Sequence, residues 1–236
     1  MSDCGKDVMS KILFVMTGSD HWTLADGSKH PTGFWAEEFV VPFEALKSAG
    51  HEIVVATPDG VVPPVDRGSL APNANGGQEV ADHRAGVIRD SAELNHPVRL
   101  ADAEFDAVFY PGGHGPMEDL AVNADSGRLL VAALTSGMPL AVVCHAPAAL
   151  LAATTATGAN AFAGYALTGF TNAEEAQAGF ADQACWLLQD RLIEIGADFR
   201  AGDPWAPNVV VDRNLITGQN PASSAGVAEE LSRKLV

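Results

Sequence analysis

Cys144-His145 is the dipeptide with the most chemistry to offer in this sequence. It follows the apolar run LAVV at 140–143 and opens the segment HAPAALLAA, so the thiol falls at a strand-to-helix turn. A helix N-terminus there presents its positive end, which favours thiolate and is expected to lower the thiol pKa. Such a thiolate attacks carbonyl carbon. On position alone, the other fate of a solitary cysteine, a buried structural residue, stays open. His145 is either the base that takes the thiol proton or incidental. Pro111-Gly112-Gly113-His114-Gly115 also has two readings. Its glycines let backbone N–H groups approach a substrate oxygen as an oxyanion hole, or they only make a tight turn. Cys185 lies on an apolar helical pattern and reads as core, and Cys4 belongs to a polar start. Three cysteines without close pairing exclude a zinc ribbon, a redox CxxC and a disulfide scaffold.

The elements that must hold these residues are short apolar runs alternating with helical patterns. Strands are expected at Lys11–Thr17, Glu52–Thr57, Asp106–Tyr110, Leu140–Val143 and Asn214–Thr217. Their runs are continuous, not alternating, as in a parallel sheet covered on both faces. Helices are expected at Pro42–Ala49, Ser126–Thr135, Ala146–Ala153, Asp182–Ile195 and Ala222–Leu235. This alternation predicts an α/β sandwich. Ligands in such folds bind beyond the carboxyl ends of the strands, where Gly18-Ser19-Asp20, the PGGHG turn, Cys144-His145 and Gly218-Gln219-Asn220 fall. The long loops His21–Thr32 and Asp59–Asn75 are expected to build or cover that site.

The 236 residues carry a formal net charge of −16 with only 14 Lys and Arg. That balance argues against nucleic acid or an anionic membrane as partner, because both are held by clustered cations. A stretch of 45 residues, Leu129 to Ala173, has no formal charge. Ser136-Gly137-Met138-Pro139, His145, Pro147 and the TTATG at 154–158 interrupt it, so it reads as buried core and not as a membrane span. Residues 1–10 are polar and lack the apolar segment of a secretory signal. They are expected to form a tail before one domain at 11–236, in a cytoplasmic protein.

Taken in order, KILFVMT, TGFWAEE, AVFYPGGHG, AVVCHAP, TGFTNAEE and LITGQNPAS resemble the ThiJ/PfpI superfamily, which is like the class I glutamine amidotransferases. They are closest to the branch of stress-inducible holding chaperones and glutathione-independent glyoxalases (glyoxalase III). The resemblance implies a flavodoxin-like three-layer α/β/α sandwich with a mostly parallel sheet and Cys144 as nucleophile on a strained elbow. It implies a carboxyl partner of the thiol at Glu38, with Glu37 outside. His145 and Glu175, or alternatively Glu174, complete a triad, and the amides of Gly113 and His145 form the oxyanion hole. A carboxyl in a low-dielectric pocket has a raised pKa, which makes Glu38 a proton shuttle near neutral pH.

The activity implied is conversion of methylglyoxal to lactate through a hemithioacetal on Cys144, a D-lactate dehydratase type of lyase chemistry needing no metal or organic cofactor. A holding chaperone and a deglycase or amidase-type hydrolase are the alternatives. Partners would be a small carbonyl substrate, unfolded clients on the chaperone reading, and a second copy in a homodimer. Glutaminase is disfavoured, because Val142 and Ala146 stand where its signature has glycines. Gly112, His114, His30 and Asp26 are pocket candidates, with His21, Trp22 and Trp205 near the entrance. Some relatives bind a metal, but His114 with Glu118 four residues on reads better as a turn histidine and a surface acid.

Overall fold

The computed structural model describes residues 9–103 and 105–235. The predicted tail and Cys4 therefore lie outside the described residues, except Met9, which is exposed, and Ser10, which is buried. Ser10 is already anchored, because its carbonyl accepts from Glu52 N–H.

The strands are β1 Lys11–Val15, β2 His21–Thr23, β3 Lys29–Pro31, β4 Glu52–Thr57, β5 Val98–Arg99 and β6 Ala107–Tyr110. They continue with β7 Leu140–Val143, β8 Ala166–Leu167, β9 Asp198–Phe199, β10 Val209–Asp212 and β11 Leu215–Gly218. Seven of them form one sheet in the order β10-β11-β7-β6-β1-β4-β5. Every neighbouring pair is parallel except β10 with β11. The continuous apolar runs account for this, since β6, β7 and β11 are buried along their whole length. The chain is thus an α/β sandwich of the flavodoxin-like kind. Edge strand β10, reading VVVD, and the two-residue β5 are additions to the five predicted strands.

The helices are α1 Ala36–Ser48, α2 Gln78–Asp90, α3 Ala92–Asn95, α4 Gly115–Glu118, α5 Ala124–Ser136, α6 Asn172–Ala178, α7 Leu188–Glu194 and α8 Ser224–Lys234. Around the sheet, α1 packs on α8, and α5 packs on the segment that follows β7. Phe14 of β1 stacks on Phe109 of β6 with ring centroids 4.7 Å apart, and meets Phe39 of α1 edge-on at 5.9 Å. Among the described residues no helix is long and apolar enough to cross a membrane.

Three predicted helices need correction. The helix expected from Pro42 begins at Ala36 and runs through the proline. Pro42 removes one hydrogen bond, to the Glu38 carbonyl, and the buried face of Phe39, Val40, Phe43 and Leu46 offsets that loss. The segment after Cys144 is a 3-10 helix, Ala146–Ala152, not an α-helix. The helix expected from Asp182 starts at Leu188. Its first residues instead bond the 21–32 region, with Ala25 N–H donating to the Gln183 carbonyl at 2.8 Å and Cys185 Sγ lying 3.6 Å from the Thr23 carbonyl. Cys185 is consequently exposed rather than core. The 21–32 loop itself is a hairpin of β2 and β3.

Candidate active site

Cys144 has φ of 60°, a left-handed backbone conformation on a residue with a Cβ. Such a conformation costs on the order of 1–3 kcal/mol and persists only where neighbours hold it. Here they do. Its N–H donates to the Gly218 carbonyl at 2.9 Å, and its carbonyl accepts from Phe170 N–H at 2.8 Å. The elbow is thus tied to β11 on one side and to the approach to α6 on the other.

On the α1 side, Glu38 has no solvent exposure, and its Oε2 accepts from Gly112 N–H at 2.6 Å. The reverse link is Trp35 N–H to the Gly112 carbonyl at 3.0 Å, so the start of α1 and the PGGHG turn hold each other. A Cβ at position 112 would lie 2.7 Å from Glu38 Oε2 and 2.8 Å from His145 N, which is why the close approach requires glycine. The other oxygen, Oε1, is buried without a hydrogen-bond partner among the described residues, and the carboxyl interacts with the Cys144 thiol. Burial pushes the Glu38 carboxyl up to about 8. Glu37 points away, accepting from Arg84 Nη1 at 3.2 Å.

On the α6 side, His145 Nδ1 lies 3.3 Å from Cys144 Sγ, and its Nε2 meets Glu175 Oε2 at 2.8 Å. Glu175 Oε1 meets His114 Nε2 at 3.0 Å. The two imidazoles hold this carboxyl well below the usual range in spite of its burial. Glu174, the alternative acid, faces elsewhere. It closes a capping box with Thr171, and its Oε1 accepts from Asn220 Nδ2 at 2.8 Å and Trp205 N–H at 2.9 Å.

The expectation of a lowered thiol pKa is overturned. Burial, then the neighbouring Glu38 carboxyl, hold the Cys144 thiol well above its ordinary range, although Gly113 N–H points at the sulfur and works against them. The seven-residue 3-10 segment that follows is a weak substitute for an α-helical dipole. These surroundings favour the thiol form, with His145 Nδ1 the nitrogen placed 3.3 Å from its sulfur.

The cluster borders a cavity of about 790 Å³ through Gly113, His114 and His145, with Cys144, Glu38 and Glu175 behind them. Gly113, His114, His145 and His30 line it, together with Trp35, Phe170, Phe180 and Trp205. Asp26 does not. It is exposed at the hairpin tip, where it accepts from Ser28 N–H at 2.9 Å. Gly112 does not line the cavity either, and its N–H bonds Glu38 behind the wall. Trp22 stacks on His114 with centroids 4.5 Å apart, and His21 lies 3.4 Å from Glu118. Glu118 is not a partner of His114, because it accepts from Thr23 N–H and Oγ1 at 2.8 and 2.9 Å and fastens the hairpin. His114, His145 and Glu175 place ligand atoms within 4.8 Å of one another, the grouping best able to take a metal among the described residues. Trp35, Phe170 and Phe180 escaped the sequence reading. Trp35 lies inside the TGFWAEE motif, and its neighbour Glu38 was the available signal.

A thiol on a left-handed elbow after a parallel strand, flanked by a buried carboxyl and a histidine–glutamate pair, defines a cysteine-centred member of the flavodoxin-like sandwiches. Residues 31–234 match the DJ-1/PfpI family, and the chain belongs to it. It is 32% identical over 200 residues to bovine glutamine amidotransferase-like class 1 domain-containing protein 1, covering 84% of this chain and 87% of the relative. It is 25% identical over 232 residues to the protein/nucleic acid deglycase HchA of Escherichia coli, covering 96% and 81%. The crystal structure of glyoxalase III from Candida albicans superposes with a TM-score of 0.81 at 26% identity, covering 94% of this chain and 95% of that one.

Proposed function

We propose that this protein is a cofactor-free glyoxalase III-like enzyme that converts methylglyoxal to lactate on Cys144. The carrying observation is the thiol set between Glu38 and the His145–Glu175 pair, directly behind the Gly113 and His145 that line an aromatic cavity. His145 Nδ1 takes the thiol proton as sulfur bonds to the aldehyde carbon, and returns it to the new hydroxyl of the hemithioacetal. The Gly113 and His145 amides face the developing oxyanion. Glu38 removes the proton from C1 as the C2 oxygen is protonated to give an enediol. It then returns that proton to C2 as the C1 hydroxyl loses its own, leaving a lactoyl thioester. The net change at oxygen is a shift of one proton from O1 to O2 through cavity water. A carboxyl poised at about 8 can both take and return a proton near neutral pH. Hydrolysis of the thioester frees lactate and the thiol. The test is lactate release from methylglyoxal by wild type and Cys144→Ala. Lactate from wild type alone is expected, and equal lactate from both refutes the reading.

A cavity of about 790 Å³ is far roomier than a three-carbon substrate needs, which favours a second use of the same thiol on carbonyl adducts of larger molecules. Release of free amine from a methylglyoxal-treated peptide, lost in Cys144→Ala, checks this. A client-holding role draws on Val61 and Val62, 46% and 56% exposed in the second long loop. It requires Cys144→Ala to suppress aggregation of a heated client as well as wild type does.

A further inference from the structure

Glu175 carries two imidazoles, and the scheme above uses one. Its Oε2 faces His145 Nε2 and its Oε1 faces His114 Nε2, at 2.8 and 3.0 Å. An ionised carboxylate only accepts hydrogen bonds, so each neutral ring carries its proton on Nε2 and keeps a lone pair on Nδ1. His145 directs that lone pair at the Cys144 thiol, 3.3 Å away. His114 Nδ1 has no hydrogen-bond partner among the described residues. The two rings lie with centroids 4.0 Å apart, and stacking on Trp22 fixes the plane of His114. Both line the cavity, but the side chain of His114 is 13% exposed and that of His145 only 3%.

The second half of the reaction needs a base in that position. Once sulfur is acylated, His145 Nδ1 still faces sulfur, while water must reach the thioester carbon from the cavity. We propose that His114 is the general base for hydrolysis of the Cys144 thioester. The water oxygen bonds to the carbonyl carbon as one of its protons passes to His114 Nδ1. The C–S bond then breaks, its electron pair goes to sulfur, and the proton on His114 returns to the thiolate through solvent in the cavity. Glu175 stabilises the imidazolium formed in between, as a carboxylate orients and stabilises the base of a triad.

This inference rests on the glyoxalase reading, and the experiment separates the two. His114→Phe keeps an aromatic ring against Trp22 without a base, and His114→Gln keeps a donor toward Glu175. Each is mixed with methylglyoxal, and intact-protein mass and released lactate are followed from the first turnover onward. Both variants are expected to form the lactoyl thioester at close to the wild-type rate. Steady-state lactate should then fall by roughly 10²–10⁴-fold, the range for loss of a general base, with the acylated protein accumulating. Added hydroxylamine should release the acyl group as lactohydroxamate, the product that distinguishes the thioester from the hemithioacetal of equal mass. Lactate at the wild-type rate from either variant overturns the proposal. So does joint loss of thioester formation and lactate in both, since the ring would then serve only the architecture. A wild type that forms neither thioester nor lactate overturns the functional reading itself.

Discussion

Two buried carboxyls flank the same thiol, and their surroundings drive them in opposite directions. Glu38, near the start of α1, has one backbone amide and a thiol for company, so desolvation dominates and its pKa rises to about 8. Glu175, near the start of α6, has two imidazoles, and their attraction exceeds the burial penalty, so its pKa falls. Each comes from an adjacent pair of glutamates near a helix start. The lesson is that acid–base assignment follows from what surrounds a carboxyl, not from its residue type.

The contrast breaks most readily at the thiol. Glu38→Gln and Glu175→Gln should each reduce lactate formation by about 10³-fold or more, as expected when a proton-transfer partner or a triad acid is lost. They should part company in the pH dependence of Cys144 alkylation by iodoacetamide. Removing the Glu38 charge makes the thiol easier to ionise and moves alkylation to lower pH. Removing Glu175 deprives the His145 imidazolium of its counter-ion and moves it higher. Shifts of the same sign in both variants would erase the distinction.

Stability against pH sharpens it further. Glu38 binds its proton more tightly when folded than when unfolded, so its contribution is whole below about 4.5 and is lost as pH rises toward about 8. At about 1.4 kcal/mol per unit, the wild type should lose on the order of 3–5 kcal/mol across that window, and Glu38→Gln much less. Glu175 does the reverse. Its contribution is present above its unfolded pKa and lost as pH falls through the lowered folded value, so Glu175→Gln should flatten the acid side. Urea titrations at several pH values measure both slopes.

The partner glutamates give the smaller effects. Glu174→Gln should cost about 1–3 kcal/mol, because it weakens bonds to Thr171, Trp205 and Asn220. Its effect should appear in the denaturation midpoint well before it appears in thioester formation. Glu37→Gln, which loosens a partly exposed pair with Arg84, should cost under about 1 kcal/mol and leave turnover unchanged.

Much of this arrangement was legible in the chain. The run LAVV ending in Cys144 marks a buried strand whose side chains must stop at a turn, and the elbow stands there. The motif around Glu38 indicated which of two adjacent glutamates turns inward, and Glu38 is fully buried while Glu37 pairs with Arg84. The hairpin at 21–32 was not legible, because its two strands are only three residues each and one ends in proline. The loss of helix at 182–187 was equally hidden, since its apolar spacing is helical and only contact with the hairpin diverts its backbone.

Local composition thus determined what local energetics control: which runs are strands, where glycine permits close approach, and which thiol lies at a strand end. The sheet order β11-β7-β6-β1 decided the rest, by setting the carboxyl ends of β6 and β7 side by side. Only that juxtaposition lets Glu175 reach His114, 61 residues away in sequence, as well as His145. It also turned the expected thiolate into a thiol, because the burial that holds Cys144 and the carboxyl beside it exist only in the folded chain.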